Sequence, residues 1–305
     1  MDRRTYLKSG GGVLVGGLLA GCSGGGSGGQ ATTTTADSEM ETETEVTTDP
    51  TETTETTETT AESTIPETVV IGSDIPYRPF EYETTDGELT GFDVDIAAAV
   101  FEDQLGIDYE FQSTSFDSII PSLNNGNFRI IMSAMTINDE RDEEVDFSDP
   151  YFTAYQTVIV REDSSISSRA DLEGQTVGVQ KGTTGAGAAE QLQEEFDGNL
   201  ELNEYDQING AFQALLNGQV NAVINDNTVN AEFASEQDGV VFLEGDGAAA
   251  DSDQDAPPYL TLTVENYGIA FREDDDEFLE RVNEALATIR ENGTYDEIYS
   301  AYFAG

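Results

Sequence analysis

Apolar and polar positions alternate regularly from residue 66 onward, and their spacing predicts strands and helices in turn. Strands are predicted over the β-branched and apolar runs 68–73, 108–113, 128–135, 154–161, 200–205, 220–226, 239–244 and 260–271, and a turn followed by a strand is predicted over 171–180. Helices are predicted over 91–106, 115–126, a short stretch from Asp139, 188–196, 208–218, the residues up to Phe233, 274–291 and 294–302. This alternation is typical of an α/β architecture with mainly parallel sheets.

Composition divides the chain into segments of different character. Residues 23–65 contain Gly and Ser, then Thr and Glu, with almost nothing apolar to bury, which predicts a disordered tether. The folded part is about 240 residues long, which suits two lobes better than one. Within it, residues 182–187 predict a glycine-rich loop and residues 244–258 an acidic surface loop.

Acidic residues dominate the composition. The 305 residues include 62 acidic and 12 basic side chains, a formal net charge of −50, yet 37% are hydrophobic, which is enough for a folded core. At ~1 M salt the Debye length is about 3 Å, so a surface of like charges is tolerated there. We therefore interpret the charge as adaptation to concentrated salt. Such a surface would repel nucleic acid, which excludes that class of partner.

Histidine and cysteine usage excludes several chemistries. The chain has no histidine, which rules out Ser-His-Asp and Cys-His catalysis and removes the commonest ligand of transition metals. Its single cysteine, Cys22, rules out an intrachain disulfide and a thiolate metal cluster. We expect neither a metal nor a cofactor.

The first 22 residues have the layout of an export signal. Arg3 and Arg4 precede an apolar run, 13–20, that is far too short to span a bilayer, which needs ~20 apolar residues. The twin arginines resemble a twin-arginine signal, and the sequence LLAGC resembles a lipobox, whose cysteine becomes the lipidated first residue. These features predict a lipid anchor at Cys22; the alternative is a cytosolic protein with a chance apolar start.

Seven stretches of the folded part occur in an order typical of one family. They are SDIPYRPFEY, GFDVDIAAAVF, SFDSIIPSL, MTINDERDEEVDFSDPYF, LEGQTVGVQKGTT, LLNGQVNAVINDN and RENGTYDEIYSAYF. Together they resemble the polar amino-acid-binding proteins of ATP-binding-cassette (ABC) importers, family 3 of the extracellular solute-binding proteins, here as a haloarchaeal-like lipoprotein. The likeness covers nearly all of 66–305 and implies a type II periplasmic binding fold, with two mixed sheets flanked by helices and two hinge strands.

The resemblance also implies where the two lobes divide. Lobe 1 would comprise 66–150 plus 268–305, and lobe 2 would comprise 157–261. The hinges would lie near 151–156 and 262–267. Lobes of this kind close on a ligand by hinge motion, so we expect the binding site between them.

Arg141 stands among acidic residues in a chain that has few cations. A free amino acid is a zwitterion, and a guanidinium group offers two parallel donors to its α-carboxylate. The resemblance implies this role for Arg141, and the predicted helix start nearby also favours an anion. The alternative is a surface ion pair with Asp142 or Glu144, which would contribute little stability.

The resemblance implies further groups around the α-carboxylate. Thr136 and Thr184 would add hydroxyl groups from the two lobes, and Ala134 would add a backbone N–H. Helix capping is the alternative role for both threonines. Residues 182–187 are not a phosphate loop, because the lysine precedes the glycines.

The remaining site residues implied by the resemblance surround the α-ammonium group and the side chain of the ligand. Asp226 would pair with the ammonium group, with helix capping as the alternative. Tyr77 and Phe116 would form two aromatic walls, although Phe116 could equally be core. Asp74 would favour a side chain of the glutamine, lysine, arginine, ornithine or histidine type. Gln180 stands where some glutamine-binding members carry lysine, so the choice among these ligands stays open.

The expected protein is a monomeric lipoprotein on the extracellular face of the cell membrane. It would bind an amino acid and deliver it to an ABC permease, without catalytic residues. One alternative is a dehydratase of the same fold acting on a small carboxylic acid, with Asp226 or Asp74 as general acid or base. Another is a ligand-sensing surface protein.

Overall fold

The computed structural model describes residues 66–251 and 257–303. The predicted export signal, the lipid anchor at Cys22 and the tether over 23–65 lie outside the described residues, as does part of the acidic loop. Within the described part, no helix is both long and apolar enough to cross a membrane.

The apolar pattern produces strands and helices along the whole described part. The strands are β1 Thr68–Ser73, β2 Tyr82–Glu83, β3 Leu89–Thr90, β4 Asp108–Ser113, β5 Ile130–Ile131, β6 Asp146–Phe147, β7 Phe152–Arg161, β8 Thr176–Gln180, β9 Glu201–Tyr205, β10 Ala222–Asp226, β11 Val240–Phe242, β12 Thr261–Tyr267 and β13 Ala270–Phe271. The helices are α1 Phe92–Ala97, α2 Ile119–Asn124, α3 Asp139–Asp142, α4 Thr184–Glu195, α5 Ile208–Leu216, α6 Asn227–Glu236, α7 Ala248–Asp251, α8 Asp276–Glu291 and α9 Thr294–Phe303. Helix α1 continues as a π-helical segment, Ala98–Leu105, and 3₁₀ turns cover Phe116–Ser118 and Arg169–Leu172.

The first sheet has the strand order β4-β1-β5-β13-β6. Strand β1 is parallel to β4 and β5, whereas β13 is antiparallel to β5 and β6. The π-helical segment and α8 cover one face, where Phe101 stacks on Phe278 with ring centroids 6.2 Å apart. Helix α2 contributes Ile119 and Leu123 to a separate apolar cluster on the other face.

The second sheet has the strand order β11-β7-β10-β8-β9, and β12 also pairs with β7. Strand β8 is parallel to β9 and β10, whereas β7 is antiparallel to β10, β11 and β12. Helix α4 packs on one face through Ala189 and Leu192, and α5 packs on the other through Ala211 and Phe212. Helices therefore bury both faces of this sheet.

Both sheets are mixed and flanked by helices, which confirms the fold class implied by the resemblance. The expectation of mainly parallel sheets, which rested on the alternation of elements alone, is wrong. A strand buried on both faces carries a continuous apolar run whichever way it points. The apolar pattern therefore does not encode strand direction.

Strands β7 and β12 pair with each other where the chain passes between the two sheets. Their register runs from Thr157 opposite Thr261 to Phe152 opposite Tyr267. The ring of Phe152 also contacts that of Phe303 in the last helix, with centroids 4.9 Å apart. The predicted hinges fall on these two strands; the lobe boundaries and the hinge motion stay predictions.

Two local differences from the predicted elements lie next to each other in space. The strand predicted over 128–135 is limited to β5, because the chain bends away at Ala134, whose φ of 46° is left-handed. The loop predicted over 182–187 is wrong from Thr184 onward, because α4 already begins there. Thr183 starts this helix by accepting a hydrogen bond from the backbone N–H of Ala186 at 3.2 Å.

A third difference lies in the acidic segment 244–258. Residues Ala248–Asp251 form the short helix α7 where a loop is predicted. The backbone N–H of Ala249 donates to the hydroxyl of Thr261 at 2.9 Å, which ties this helix to β12. Residues 252–256 lie outside the described part.

Candidate functional site

A cavity lies between the two sheets and brings together the side chains predicted for the site. The empty space between these side chains, including the part that is open to solvent, is about 310 Å³. The predicted residues that line it are Asp74, Tyr77, Phe116, Ala134, Thr136, Arg141, Gln180, Thr184 and Asp226. Ser133 and Thr183 also line it and were not predicted.

Strand ends position most of these groups. Asp74 directly follows β1, Gln180 is the last residue of β8 and Asp226 is the last residue of β10. Residues 133–136 follow β5. In open α/β sheets, ligands bind beyond the carboxyl ends of the strands, which explains why distant parts of the sequence meet here.

Arg141 lies in the wall of the cavity and is only 8% exposed. Its Nη1 donates to the carbonyl of Thr136 at 2.7 Å, its Nη2 donates to the carbonyl of Gly182 at 3.2 Å, and the guanidinium lies 5.2 Å from the ring centre of Phe116. Within residues 66–251 and 257–303, no ion pair joins it to a carboxylate, so the alternative pair with Asp142 or Glu144 is not formed.

A buried guanidinium without a bound anion is energetically unfavourable. Burial lowers the pKa of Arg141, and the charges of Glu265 and Asp226 oppose this shift. Helix α3, which carries Arg141, is a single turn capped by Asn138, so its dipole contributes less than the sequence suggests. The electrostatic attraction for an anion therefore comes mainly from the guanidinium itself.

Gly182 lies where the backbones of the two sides of the cavity approach each other closely. Its φ of 72° is left-handed, and a Cβ placed on it would lie 3.0 Å from the Cα of Asp117. Only glycine satisfies both conditions without strain. Its carbonyl is thereby able to reach the guanidinium of Arg141 on the opposite side.

The hydroxyl groups of Thr136 and Thr184 meet at one carboxylate, that of Glu265. They donate to its Oε2 at 2.7 Å and 2.8 Å, and Thr263 donates to its Oε1 at 2.8 Å. Neither Thr136 nor Thr184 caps a helix, because Asn138 caps α3 and Thr183 caps α4. Glu265, a buried residue of β12, was missed because the sequence offers no local signal to distinguish it from the many other acids.

Asp226 does not cap α6 with its side chain. Instead the hydroxyl of Tyr77 donates to its Oδ2, and the amide of Gln156 donates to its Oδ1. Burial, followed by the charge of Glu265, raises the pKa of Asp226 to about 7. Tyr77 therefore acts as a hydrogen-bond donor to the carboxylate as well as an aromatic wall.

Asp74 and Gln180 lie opposite each other across the cavity. The Gln180 amide donates to Oδ2 of Asp74, and the backbone N–H of Asp74 donates to the hydroxyl of Ser133 at 2.9 Å. Burial raises the pKa of Asp74, and the hydrogen bond from Gln180 lowers it. An amide from one side thus already contacts the carboxylate expected to select the ligand side chain.

Two predicted roles change in detail. The backbone N–H of Ala134, predicted to face the ligand, donates to Asp93 at 2.9 Å, so this donor is used within the protein. Phe116 lines the cavity and also packs, partly buried, against the apolar cluster of Ile119 and Leu123, so its role as an aromatic wall for a ligand stays a prediction. In the described part, no group of three or more His, Cys, Asp or Glu side chains is arranged to hold a metal ion.

Comparisons with known proteins agree with this geometry. The model for the family described as bacterial extracellular solute-binding proteins, family 3, matches residues 69–305. The chain is 33% identical over 235 residues to a probable histidine-binding protein of Neisseria gonorrhoeae, covering 77% of this chain and 82% of that protein.

Solved structures show the same architecture. An ancestral arginine-binding protein bound to arginine superposes with a TM-score of 0.68 at 35% identity, over 78% of this chain and 99% of that one. An ancestral amino acid-binding protein, described as a precursor of cyclohexadienyl dehydratase, gives a TM-score of 0.65 at 37% identity, over 78% and 95% of the two chains. The fold is that of the type II periplasmic binding proteins.

Proposed function

Because this chain belongs to family 3 of the extracellular solute-binding proteins, we propose that it binds a free cationic amino acid, such as arginine, in the cavity between its two sheets. The observation that carries this proposal is the buried guanidinium of Arg141, which lines the cavity and forms no ion pair with a carboxylate of the described residues. An α-carboxylate is the anion whose two oxygens match that guanidinium.

The proposed orientation of the ligand follows from the charges around the cavity. The α-carboxylate would lie against Arg141. The hydroxyl groups of Thr136 and Thr184, which donate to Glu265 here, would donate to the α-carboxylate instead. The α-ammonium would pair with Asp226, whose carboxylate is already oriented by Tyr77. The aromatic faces of Tyr77 and Phe116 would cover the aliphatic stem.

A cationic side chain is favoured by charge balance. Among the described residues lining the cavity, Asp74 and Asp226 carry carboxylates and Arg141 carries a guanidinium. Behind this lining, the buried carboxylate of Glu265 also acts on Arg141, so negative charge is in excess around the cavity. The zwitterionic part of an amino acid adds no net charge and leaves Asp74 without a counterion. A guanidinium or ammonium at the end of the ligand supplies that counterion, whereas a glutamate side chain would be repelled.

Transport rather than catalysis fits the relatives. Proteins similar to this chain are named as histidine- and arginine-binding proteins, and the relative linked to a dehydratase is itself described as amino acid-binding. We further propose that the N-terminal signal directs twin-arginine export, that a lipid on Cys22 anchors the protein outside the membrane, and that the loaded protein delivers its ligand to an ABC permease. The acidic surface would serve this function in concentrated salt.

A thermal-shift screen of amino acids in molar potassium chloride tests the proposal. Arginine, lysine, ornithine or histidine at about 100 times its dissociation constant is expected to raise the melting temperature by about 5–10 °C. Agmatine, which lacks the α-carboxylate, is expected to have a much smaller effect, since it cannot satisfy Arg141. A flat response to every proteinogenic amino acid would contradict the proposal.

Asp74→Asn is expected to change the ligand preference. Loss of the charge opposite the ligand side chain removes a charge-assisted hydrogen bond, so arginine affinity should fall about 10- to 100-fold in calorimetry. Glutamine affinity should fall much less, since the amide introduced at position 74 can still bond to the amide of glutamine. Asp163→Asn is the matched control, because Asp163 is exposed and outside the cavity lining. Equal losses for arginine and glutamine would show that Asp74 does not select the side chain.

A further inference from the structure

Two carboxyl groups are buried behind the wall of the cavity, where they bond to the consecutive residues Ser133 and Ala134. Glu81 and Asp93 are both 0% exposed, and neither lines the cavity. No ion pair connects either group to a cation in the part of the chain that the structure describes. Two adjacent buried anions without a cation would be strongly unfavourable, so at least one of these groups requires a proton.

Asp93 has the hydrogen-bond pattern of a carboxylate. Its Oδ2 accepts from the backbone N–H of Ala134 at 2.9 Å, and the hydroxyl of Tyr151 lies 3.0 Å and 2.9 Å from its two oxygens. The N–H of Ala134 can only donate, and the hydroxyl of Tyr151 donates when Asp93 is ionised. A negative charge on Asp93 is therefore stabilised by both partners.

Glu81 has the pattern of a carboxylic acid. Its Oε1 accepts from the hydroxyl of Ser133 at 2.7 Å, and that hydroxyl accepts from the backbone N–H of Asp74 at 2.9 Å. Its Oε2 is fully buried and has no hydrogen-bond partner among the described residues, and the hydroxyl of Ser73 is buried and unpaired as well. A proton on Oε2 removes the unsatisfied acceptor and provides a donor for Asp93, because Ser133 and Ala134, the partners of the two carboxyl groups, are consecutive residues.

We propose that Glu81 is protonated and donates to the Asp93 carboxylate, and that this acid–carboxylate pair positions two parts of the binding site. Through Ser133 the pair orients the backbone of Asp74, and through the N–H of Ala134 it holds the left-handed bend after β5. Glu81 and Asp93 are thus positioning residues, which touch no ligand themselves. Their effect on affinity rests on the proposed function, whereas the proton can be detected without any ligand.

The pair also predicts sensitivity to alkaline conditions. Burial and the charge of Asp93 raise the pKa of Glu81 well above its ordinary value, and the other titratable groups facing the pair are Asp74, Tyr77 and Tyr151, which are all acids. A group with a raised pKa in the folded state stabilises the fold at low pH, and this contribution is lost as the pH rises through that pKa. Loss of the shared proton would leave two adjacent anions and loosen the wall of the cavity.

The variants Glu81→Gln and Asp93→Asn test this arrangement, because only the first preserves the hydrogen bonds of the proposed pair. Glu81→Gln keeps an acceptor for Ser133 and a donor for Asp93, so the variant side chain imitates the protonated acid. Asp93→Asn places an amide N–H₂ among the donors from Ala134 and Tyr151 and leaves buried groups unpaired. Asp93→Asn should therefore weaken arginine binding at least about tenfold more than Glu81→Gln in calorimetry at neutral pH.

Two measurements on the ligand-free protein keep the proposal testable if Asp93→Asn does not fold. The infrared difference spectrum of wild type minus Glu81→Gln should show the C=O stretch of a protonated carboxylic acid. Raising the pH from neutral to alkaline values should lower the melting temperature of the wild type more than that of Glu81→Gln. If the band is missing, or both proteins lose stability equally, the proton is not on Glu81. Failure of the wild type to bind arginine would overturn the proposed function, while these two measurements still decide the state of the pair.

Discussion

Arg141→Met is expected to abolish high-affinity amino-acid binding while the protein still folds. The variant leaves the α-carboxylate of the ligand buried without its cationic partner. Truncating one member of such a pair typically weakens binding about 30- to 5000-fold. The folded state should tolerate the change, because the variant removes a buried cation that forms no ion pair within the described residues. Calorimetry in molar potassium chloride measures the affinity, and thermal unfolding checks the fold.

Two further variants separate charge from geometry at this position. Arg141→Lys keeps a positive charge but loses the planar pair of donors, so its affinity should fall between those of wild type and Arg141→Met. Arg169→Met is the matched control, because Arg169 is exposed in an ion pair with Glu195 outside the cavity. Unchanged affinity in Arg141→Met would overturn the assignment of this residue to the ligand carboxylate.

Asp226→Asn is expected to have an effect of similar size and to remove the pH dependence of binding. The variant lacks the counterion of the α-ammonium, although Tyr77 and Gln156 still have a side chain to contact. In the wild type the pKa of Asp226 is raised to about 7 by burial, so below about pH 7 the carboxyl is mainly protonated. Binding of the ammonium then requires release of a proton. Affinity should fall as the pH decreases, approaching about tenfold per pH unit well below the pKa.

The carboxyl group of Asp226 is expected to lower the stability of the ligand-free protein as the pH rises, whereas it raises the affinity for the ligand. Because its folded-state pKa is raised above the ordinary value of an aspartate, Asp226 favours the folded state below about pH 4 and loses this contribution as the pH rises through about 7. Asp226→Asn should therefore gain stability relative to wild type near about pH 8.

Calorimetry in buffers of different ionisation enthalpy counts the protons released on amino-acid binding, and Asp163→Asn, at an exposed acid, is the control. If the affinity of the wild type for the amino acid stays constant from about pH 5 to about pH 8, Asp226 does not pair with the α-ammonium.

Local sequence pattern was sufficient for much of the fold. Strands β1 and β4 coincide with the predicted runs 68–73 and 108–113, because apolar alternation and bounding polar residues are properties of the strand itself. Site residues that directly follow or end a strand, such as Asp74 and Asp226, were also accessible from the sequence. The family motifs around them were enough to imply that both belong to one site, and their positions at strand ends explain why they meet.

Strand direction and the start of α4 depended on more than the pattern. The glycines after Gly182 predict a loop, yet Gly185 lies in the first turn of α4, where an added Cβ would come within 2.9 Å of Oε1 of Gln156. The glycine at position 185 therefore allows α4 to pack closely against Gln156, and it does not make the segment a flexible loop. Nothing in the segment 182–187 reveals which neighbour it meets.

The partners of buried polar groups were decided only by tertiary structure. Any of 62 acids could have been the one that meets Thr136 and Thr184, and the pairing of β12 with β7 selects Glu265. Glu81 and Asp93 likewise become a pair only because the chain folds back on itself. Periodicity along the chain records which side of an element faces the core, because that is a local property. Which polar groups meet there, and with what protonation, depends on contacts between segments far apart in sequence.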